Sequence, residues 1–299
     1  MSFSAEVKNE ILSVETEREC CRHAFAYGMM LFSRAFSSLD ISLLTEHGGI
    51  AEKYCEVINN ICGVAPELLK SDAGKYKAEV KAQEDRVKIL ETFGYDKKSG
   101  ALRLNWSNIT DECCKNAFLR GAFLSCGTVN DPKKGYHLEF VVPYMNLSRD
   151  FTRFIREYDE LGIEPKTIRR NSNYVIYFKD SESIEDILTV MGAVNSSLEL
   201  MGVKMYKDMR NNVNRKLNFE NANFDKTIDA AARQIEAIEH IKNTVGLSYL
   251  SDELREIAVL RAENPDMSLR ELGSSLSTPI SRSGVNHRLQ KICDIAQSI

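Results

Sequence analysis

Residues 19–28 read ECCRHAFAYG and residues 112–121 read ECCKNAFLRG. Six of the ten positions are identical at an offset of 93 residues, and Arg22 and Lys115 keep the charge between them. A fixed-period match inside one chain marks one structural unit used twice. Two such halves pack readily about a pseudo-twofold axis, so each residue of the first copy should be answered across that axis by the second. This constraint excludes most folds before any single element is assigned.

The flanking patterns agree with a duplication. A short helix over 4–12, with Ser4 at its cap, precedes the first copy, which spans about 17–95. That copy reads as a motif helix over 17–33, a strand over Leu39–Thr45, a helix from Gly48–Gly49 to about Ile61, a strand over Tyr76–Gln83 and a helix near 84–93. The second copy, about 110–195, repeats the order. A motif helix covers 111–126, a strand 136–144, a helix 147–161 ending at Gly162, strands 165–170 and 173–179, and a helix 183–192. The sheet connections are too short for βαβ crossovers throughout, so the expected class is α+β. Residues 1–202 form this duplicated domain. Residues 203–246 read as a basic linker or arm, KMYKDMRNNVNRK at 204–216, followed by a long helix from Asp225 to Val245, and residues 247–299 read as a separate helical unit.

A length of 299 residues suits two or three domains. Net charge is −4 with a pI near 5.9, so any nucleic-acid binding must come from local patches rather than from a whole-chain field. No apolar run approaches the roughly 18 residues that span a bilayer. The start, MSFSAEVKNEILSVE, has no charged-then-apolar leader, which makes the cytoplasm the expected compartment and a membrane an unexpected partner. Eight cysteines in such a chain read as reduced thiols, mostly buried.

The last fifty residues carry the pattern of a helix-turn-helix. Helix one covers about 252–262 and stops at Asn264–Pro265. Ser268 and Glu271 form a capping box for helix two, whose inward face is Leu269, Leu272 and Leu276. A turn holds Ser277–Pro279. Helix three starts at Ser281, with Val285, Leu289 and Ile292 inward at helical spacing. Its outward residues are Arg282, Ser283, Asn286, His287 and Gln290, with Arg288 and Lys291 on the flank. No carboxylate lies between 281 and 292. Arg suits guanine and Asn suits adenine by bidentate contact, and either can take phosphate instead. Ser281 and Ser283 are placed to bond phosphate at the helix start, and Arg270 on helix two adds a positive charge. The competing reading is a three-helix bundle with a solvated polar face.

The repeat resembles the LAGLIDADG fold of homing endonucleases. There two motif helices pack through small residues, here Gly28 and Gly121, and each delivers a carboxylate at its eighth position to a shared divalent-metal site. In this chain those positions hold Ser33 and Cys126. A hydroxyl and a thiol do not replace two hard carboxylates, so nuclease chemistry by that route is not expected. The whole chain also resembles the WhiA family. The resemblance rests on MSFSAEVKNEI, both ECC motifs, GAFLSCGTVNDP, YKDMRNNVNRKLNFENANFDKT, and the tail REIAVLRAENPDMSLRELGSSLS followed by ISRSGVNHRLQKI. It implies a non-enzymatic, DNA-binding transcriptional regulator, nucleoid-associated, with a degenerate LAGLIDADG domain and a helix-turn-helix similar to sigma-factor region four. It further implies roles in sporulation, cell division and chromosome segregation, with double-stranded DNA as partner and RNA polymerase or other transcription and division proteins as candidates. The family's DNA-reading segment falls on about Ser268–Ile299.

Other constellations carry less. Cys20–Cys21 and Cys113–Cys114 suggest a four-thiolate site across the pseudo-twofold. Adjacent cysteines are poorly spaced for tetrahedral zinc and point about 100° apart on a helix, so packing is the expectation and no metal or cofactor is assigned. His23, His47, His137 and His240 have no motif partners. Lys75, Lys77 and Lys81 line one strand face, and Lys204, Lys207, Arg210, Arg215 and Lys216 line the basic segment. Both sets are auxiliary DNA or partner contacts in the regulator reading. The alternative function is a protein-interaction module with DNA contact secondary, and a residual endonuclease ranks last.

Overall fold

The structure is a computed structural model that describes residues 2–96, 101–158 and 162–299. The chain divides into two units, Met1–Lys207 and Asp208–Ile299.

The first unit opens with α1 (Phe3–Leu12), capped by Ser2, whose hydroxyl accepts from the Ala5 N–H at 3.3 Å. The expected cap, Ser4, lies inside the helix. The start moves forward because Phe3, Val7 and Ile11 make one buried face. The first copy then runs α2 (Glu19–Leu31), β1 (Ala35–Phe36), β2 (Ile41–Thr45), α3 (Gly48–Cys62), β3 (Glu67–Lys70), β4 (Tyr76–Glu79) and α4 (Gln83–Thr92). The second runs α5 (Glu112–Cys126), β5 (Gly127–Val129), β6 (Leu138–Val142), α6 (Met145–Arg156), β7 (Lys166–Arg170), β8 (Asn173–Phe178) and α7 (Ser181–Val190). Helix α6 ends at Arg156, short of the expected 161, and residues 159–161 of that expectation lie outside the described residues.

Each copy builds one four-stranded sheet, β1-β2-β4-β3 in the first and β5-β6-β8-β7 in the second, with every neighbour antiparallel. The identical order is the duplication written in topology. Period-two alternation sets the buried face: Leu138, Phe140 and Val142 of β6 point into the core, with Phe140 paired to Ile176. The strands absent from the sequence reading are β1, β3 and β5. Two of them are only two and three residues long, too short for alternation to stand out in sequence, and all four residues of β3 are exposed.

Helices α2 and α5 pack on each other at the centre of this unit. A Cβ built on Gly28 would collide with the carbonyl oxygen of Phe118 and sit 3.0 Å from the Ala122 nitrogen. One built on Gly121 would collide with the carbonyl oxygen of Phe25 and sit 2.8 Å from the Met29 nitrogen. The seam is therefore backbone against backbone, which only glycine permits. Around it, Tyr27, Phe118, Phe151 and Phe154 form a chain of ring contacts, with centroids 5.4 Å apart for Tyr27–Phe118 and 4.9 Å for Phe118–Phe154.

A single helix, α8 (Val194–Thr244), follows. The expected break into a linker and a helix from 225 is corrected: residues 204–216 lie within α8, as does the boundary between the two units. Asparagine-rich sequence has low helix propensity. Once a helix has nucleated, however, each added residue costs little. The Glu10 carboxylate of α1 starts α8 by accepting from the N–H groups of Asn195 and Ser196 at 2.6 and 3.0 Å.

The second unit joins the end of α8 to α9 (Asp252–Glu263), α10 (Leu269–Ser275) and α11 (Arg282–Gln297). Its core is Ile238 and Ile241 of α8 with Ile257, Leu272, Val285, Leu289 and Ile292, all at most 1% exposed.

Candidate nucleic-acid interface

Local chemistry fixes the α9–α10–α11 arrangement closely. The capping box is present: Ser268 Oγ accepts from the Glu271 N–H at 3.3 Å, and the Glu271 carboxylate accepts from the Ser268 N–H at 2.8 Å. The Ser268 hydrogen bonds also hold the Glu271 carboxyl below its usual range. Arg261 is buried, and its Nη1 donates to the carbonyls of Pro265 and Met267, pinning the turn after α9. Glu256 reaches the turn after α10 and accepts from the Ser277 N–H at 2.6 Å. These two turn-holding side chains were not singled out in the sequence. Their signal is a buried Arg and an outlying Glu, neither of which periodicity reveals.

The turn also depends on Gly273. A Cβ there would collide with the Ile280 carbonyl oxygen and lie 3.0 Å from a methyl of Val285. The Gly273→Ala variant should lose roughly 1–3 kcal/mol from the second unit through overpacking. Thermal unfolding of the full chain checks this; an unchanged transition in that unit would refute it.

Helix α11 begins at Arg282, with Ser281 as N-cap accepting from the Gly284 N–H at 3.3 Å. Its buried stripe is Val285, Leu289 and Ile292, as the spacing predicts. Arg282, Ser283, Asn286, His287, Gln290 and Lys291 are exposed, and so is Arg270 on α10. Arg288 differs from its neighbours. Its guanidinium pairs with Glu253 of α9 at 2.9 Å and is largely covered, so it ties α11 to α9. Gln290 donates to Asp294 at 3.0 Å.

The auxiliary basic residues divide. Lys75 pairs with Glu46 at 3.5 Å, Lys77 with Glu79, and Lys81 with Glu67, so the expected basic strand face is charge-balanced. Leu44 and Leu69 stand exposed on this sheet. On α8, Lys204 pairs with Glu182 at 3.1 Å, and Lys207 donates to the Pro132 carbonyl and lies over the Tyr136 ring. Arg210, Arg215 and Lys216 are exposed.

The C-terminal ends of the motif helices do not fit a divalent metal. Ser33 is buried, and its hydroxyl donates to the carbonyls of Met30 and Ala35 at 2.7 and 3.1 Å. Cys126 closes α5; burial pushes its thiol up to about 12, against a smaller opposing pull from the Lys8 charge. A neutral thiol and a hydroxyl engaged with backbone carbonyls are poor ligands for Mg²⁺, which needs hard oxygen donors such as carboxylates, and the Lys8 charge acting on Cys126 disfavours a cation further. Among the described residues, no group of three carboxylates, histidines or thiols gathers there.

The opposite ends do gather such a group. Cys20, Cys21, Cys113 and Cys114 place their four sulfurs within 4.8 Å of one another. The expectation that adjacent cysteines diverge is corrected. Each pair sits in the first turn of its helix, and the Cys20 and Cys21 sulfurs rotate to 4.0 Å despite neighbouring on the helix. Burial pushes the Cys21 thiol up to about 12. Hydrogen bonding from Cys21, and then from Arg18, draws the Cys113 thiol down.

Comparison with known proteins places the whole chain. Residues 115–210 match the model of the WhiA LAGLIDADG-like domain, and residues 213–296 match that of the WhiA C-terminal HTH domain. A probable cell division protein WhiA of Alkaliphilus oremlandii is 40% identical over 322 residues, covering 100% of this chain and 98% of its own. One of Thermoanaerobacter pseudethanolicus is 36% identical over 318 residues, again covering 100% and 98%. The crystal structure of full-length WhiA from Thermotoga maritima superposes with a TM-score of 0.61 at 23% identity over 100% of this chain and 99% of that one. A separate N-terminal LAGLIDADG domain of WhiA gives 0.51 at 16% identity over 64% of this chain and 90% of its own. Duplicated domain, glycine seam, helix-turn-helix and full-length relatives agree, and the chain belongs to the WhiA family.

Proposed function

We propose that this chain is a sequence-specific, DNA-binding transcriptional regulator acting in cell division, without nuclease chemistry. The observation that carries the reading is the exposed face of α11. Arg282, Ser283, Asn286 and His287 stand together on the N-terminal half of the helix with no carboxylate among them, where a recognition helix meets base edges. Ser281, as N-cap, keeps a hydroxyl proton for a phosphate at the helix start. Arg270, Gln290 and Lys291 widen the contact, and Arg210, Arg215 and Lys216 add phosphate contacts from α8. Arg288 supports α11 from behind. The cell-division role rests on the names of the full-length relatives, and a nucleoid location follows from DNA as the partner. The degenerate domain serves as a scaffold, since its former metal end holds Ser33 and Cys126.

A second reading concerns the sheet of the first copy. Its lysines are paired with glutamates, and Leu44 and Leu69 are exposed between them. A neutral, partly apolar face suits a protein partner, such as a component of the transcription or division machinery, better than a phosphate backbone.

Deleting 247–299 tests the main reading. The shortened chain should lose all preference for a selected site over random duplex in a footprinting assay. A footprint of the same sites by the shortened chain would sink it.

A further inference from the structure

The cysteine cluster lies on α2 and α5, not on the helix α11 proposed to read DNA, and its sulfur spacing is close to that of a metal site. Four sulfurs lie within 4.8 Å of one another, two from each copy, so the group is assembled only when the two halves pack. A tetrahedral zinc ion with Zn–S bonds of about 2.3 Å needs its sulfurs about 3.8 Å apart. The 4.0 Å between Cys20 and Cys21 is already close to that value. The longest separation closes with a contraction of about 1 Å, within reach of side-chain rotation.

The donor set selects the ion. Four soft thiolates favour zinc and exclude the hard cations that the carboxylate end of this fold would bind. Four protein ligands leave no open position, which is the composition of a structural site.

The surroundings suit a site with negative charge. A zinc ion with four thiolates carries a net charge of about −2. Both pairs sit in the first turns of α2 and α5, where unpaired backbone N–H groups and the helix dipoles favour anions. Arg18 Nη1 lies 3.7 Å from the Cys113 sulfur. Independently, the Arg120 Nε is buried without a hydrogen-bond partner, and Arg120 lines a cleft of about 340 Å³ together with Arg18, Cys21, Cys113 and Asn116. A buried guanidinium donor with no acceptor points to a missing negative partner. Cys20 and Cys113 are half-exposed, which gives an ion a way in.

We propose that Cys20, Cys21, Cys113 and Cys114 bind one zinc ion that staples the two repeats at the N-terminal ends of their motif helices. Each thiol that coordinates gives its proton to solvent. A fully bound ion therefore releases four protons, and no electrons move.

The test uses the full chain, purified without a metal-binding tag, reduced and stripped by chelation. Zinc added back should bind at one ion per chain, release about four protons per ion and raise the unfolding temperature of the first unit. Cobalt(II) in its place should give the intense visible absorption of a tetrahedral tetrathiolate. The Cys20→Ser/Cys113→Ser variant, altered at the two more exposed positions, should lose the tight ion and the cobalt spectrum. Reduced wild-type protein that takes up no zinc overturns the proposal without reference to any variant. So does full zinc binding by the variant, which would place the ion elsewhere. An iron–sulfur chromophore in anaerobically purified protein, or a disulfide between the repeats in protein freshly purified under reducing conditions, also overturns it.

Discussion

Alanine at Gly28 or Gly121 should cost the first unit about 3 kcal/mol or more, at the upper end of what overpacking does to a core. The reason is the identity of the atoms that a new methyl would meet. At both positions the first contact is a carbonyl oxygen of the opposite helix, Phe118 for Gly28 and Phe25 for Gly121, and a backbone nitrogen follows at 3.0 or 2.8 Å. A side chain can rotate away from a new methyl, whereas backbone cannot. The two helices must separate, and the ring contacts that run from Tyr27 through Phe118 to Phe154 must open with them. For a unit of this size, 1 kcal/mol moves the transition by about 2–4 °C, so a drop of roughly 6–12 °C is expected for each variant. Gly202→Ala is the matched control. Gly202 lies inside α8 with open space around its Cβ position, so alanine should raise stability by up to about 1 kcal/mol. Differential scanning calorimetry of the three variants decides the matter. If Gly28→Ala melted with the parent, the seam would not be the close packing described.

The seam was legible in the sequence because its determinant is local: two glycines at matching positions of one repeated decapeptide. The helix-turn-helix was legible for a similar reason. The Ser268–Glu271 box, the Asn264–Pro265 stop and the spacing of Val285, Leu289 and Ile292 each act within a few residues. What escaped reading depends on chain segments far apart. Strand β3 exists because β4 pairs with it, and its own residues, Glu67–Lys70, show no alternation. The α8 stretch over 204–216 is helical although its asparagines disfavour it, because helix already exists on both sides. The lysines at 75, 77 and 81 looked like a basic face although Glu79 sits among them; the fold adds Glu46 and Glu67, from other segments, as partners of Lys75 and Lys81. The cysteine pairs suggested a four-thiolate group across the axis, but the 100° between helix neighbours argued against it; side-chain rotation brings the Cys20 and Cys21 sulfurs to 4.0 Å all the same.

These misses share a consequence for function. Applied residue by residue, the pseudo-twofold axis predicts one shared site where the motif helices end, at Ser33 and Cys126. The structure instead gives the two ends of the helix pair opposite characters. One end has a buried hydroxyl, a neutral thiol and an ammonium. The other collects four sulfurs beside two arginines. The symmetric seam is thus kept, while its two ends differ in the residues they present.

Arg282→Ala and Asn286→Ala should each weaken binding to a selected duplex by about 1–3 kcal/mol, roughly 5- to 150-fold, while leaving random-sequence duplex nearly unchanged. Both side chains are exposed, one helical turn apart, on the half of α11 that a recognition helix inserts. A contact to a base edge is lost only on the matched site. A contact to phosphate is lost on every duplex, and it also lowers the slope of log affinity against log salt by about 0.9. Measuring both duplexes at several salt concentrations therefore separates the two roles for each residue. Lys291→Ala, further along the helix flank, should behave as the phosphate case. Arg288→Ala should do neither, because its guanidinium is spent on Glu253 at 2.9 Å, and its loss should appear as a lower unfolding temperature of the second unit. If Arg282→Ala and Asn286→Ala instead weakened both duplexes equally with a reduced salt slope, α11 would be gripping the backbone, and the reader of sequence would have to be sought elsewhere on the chain.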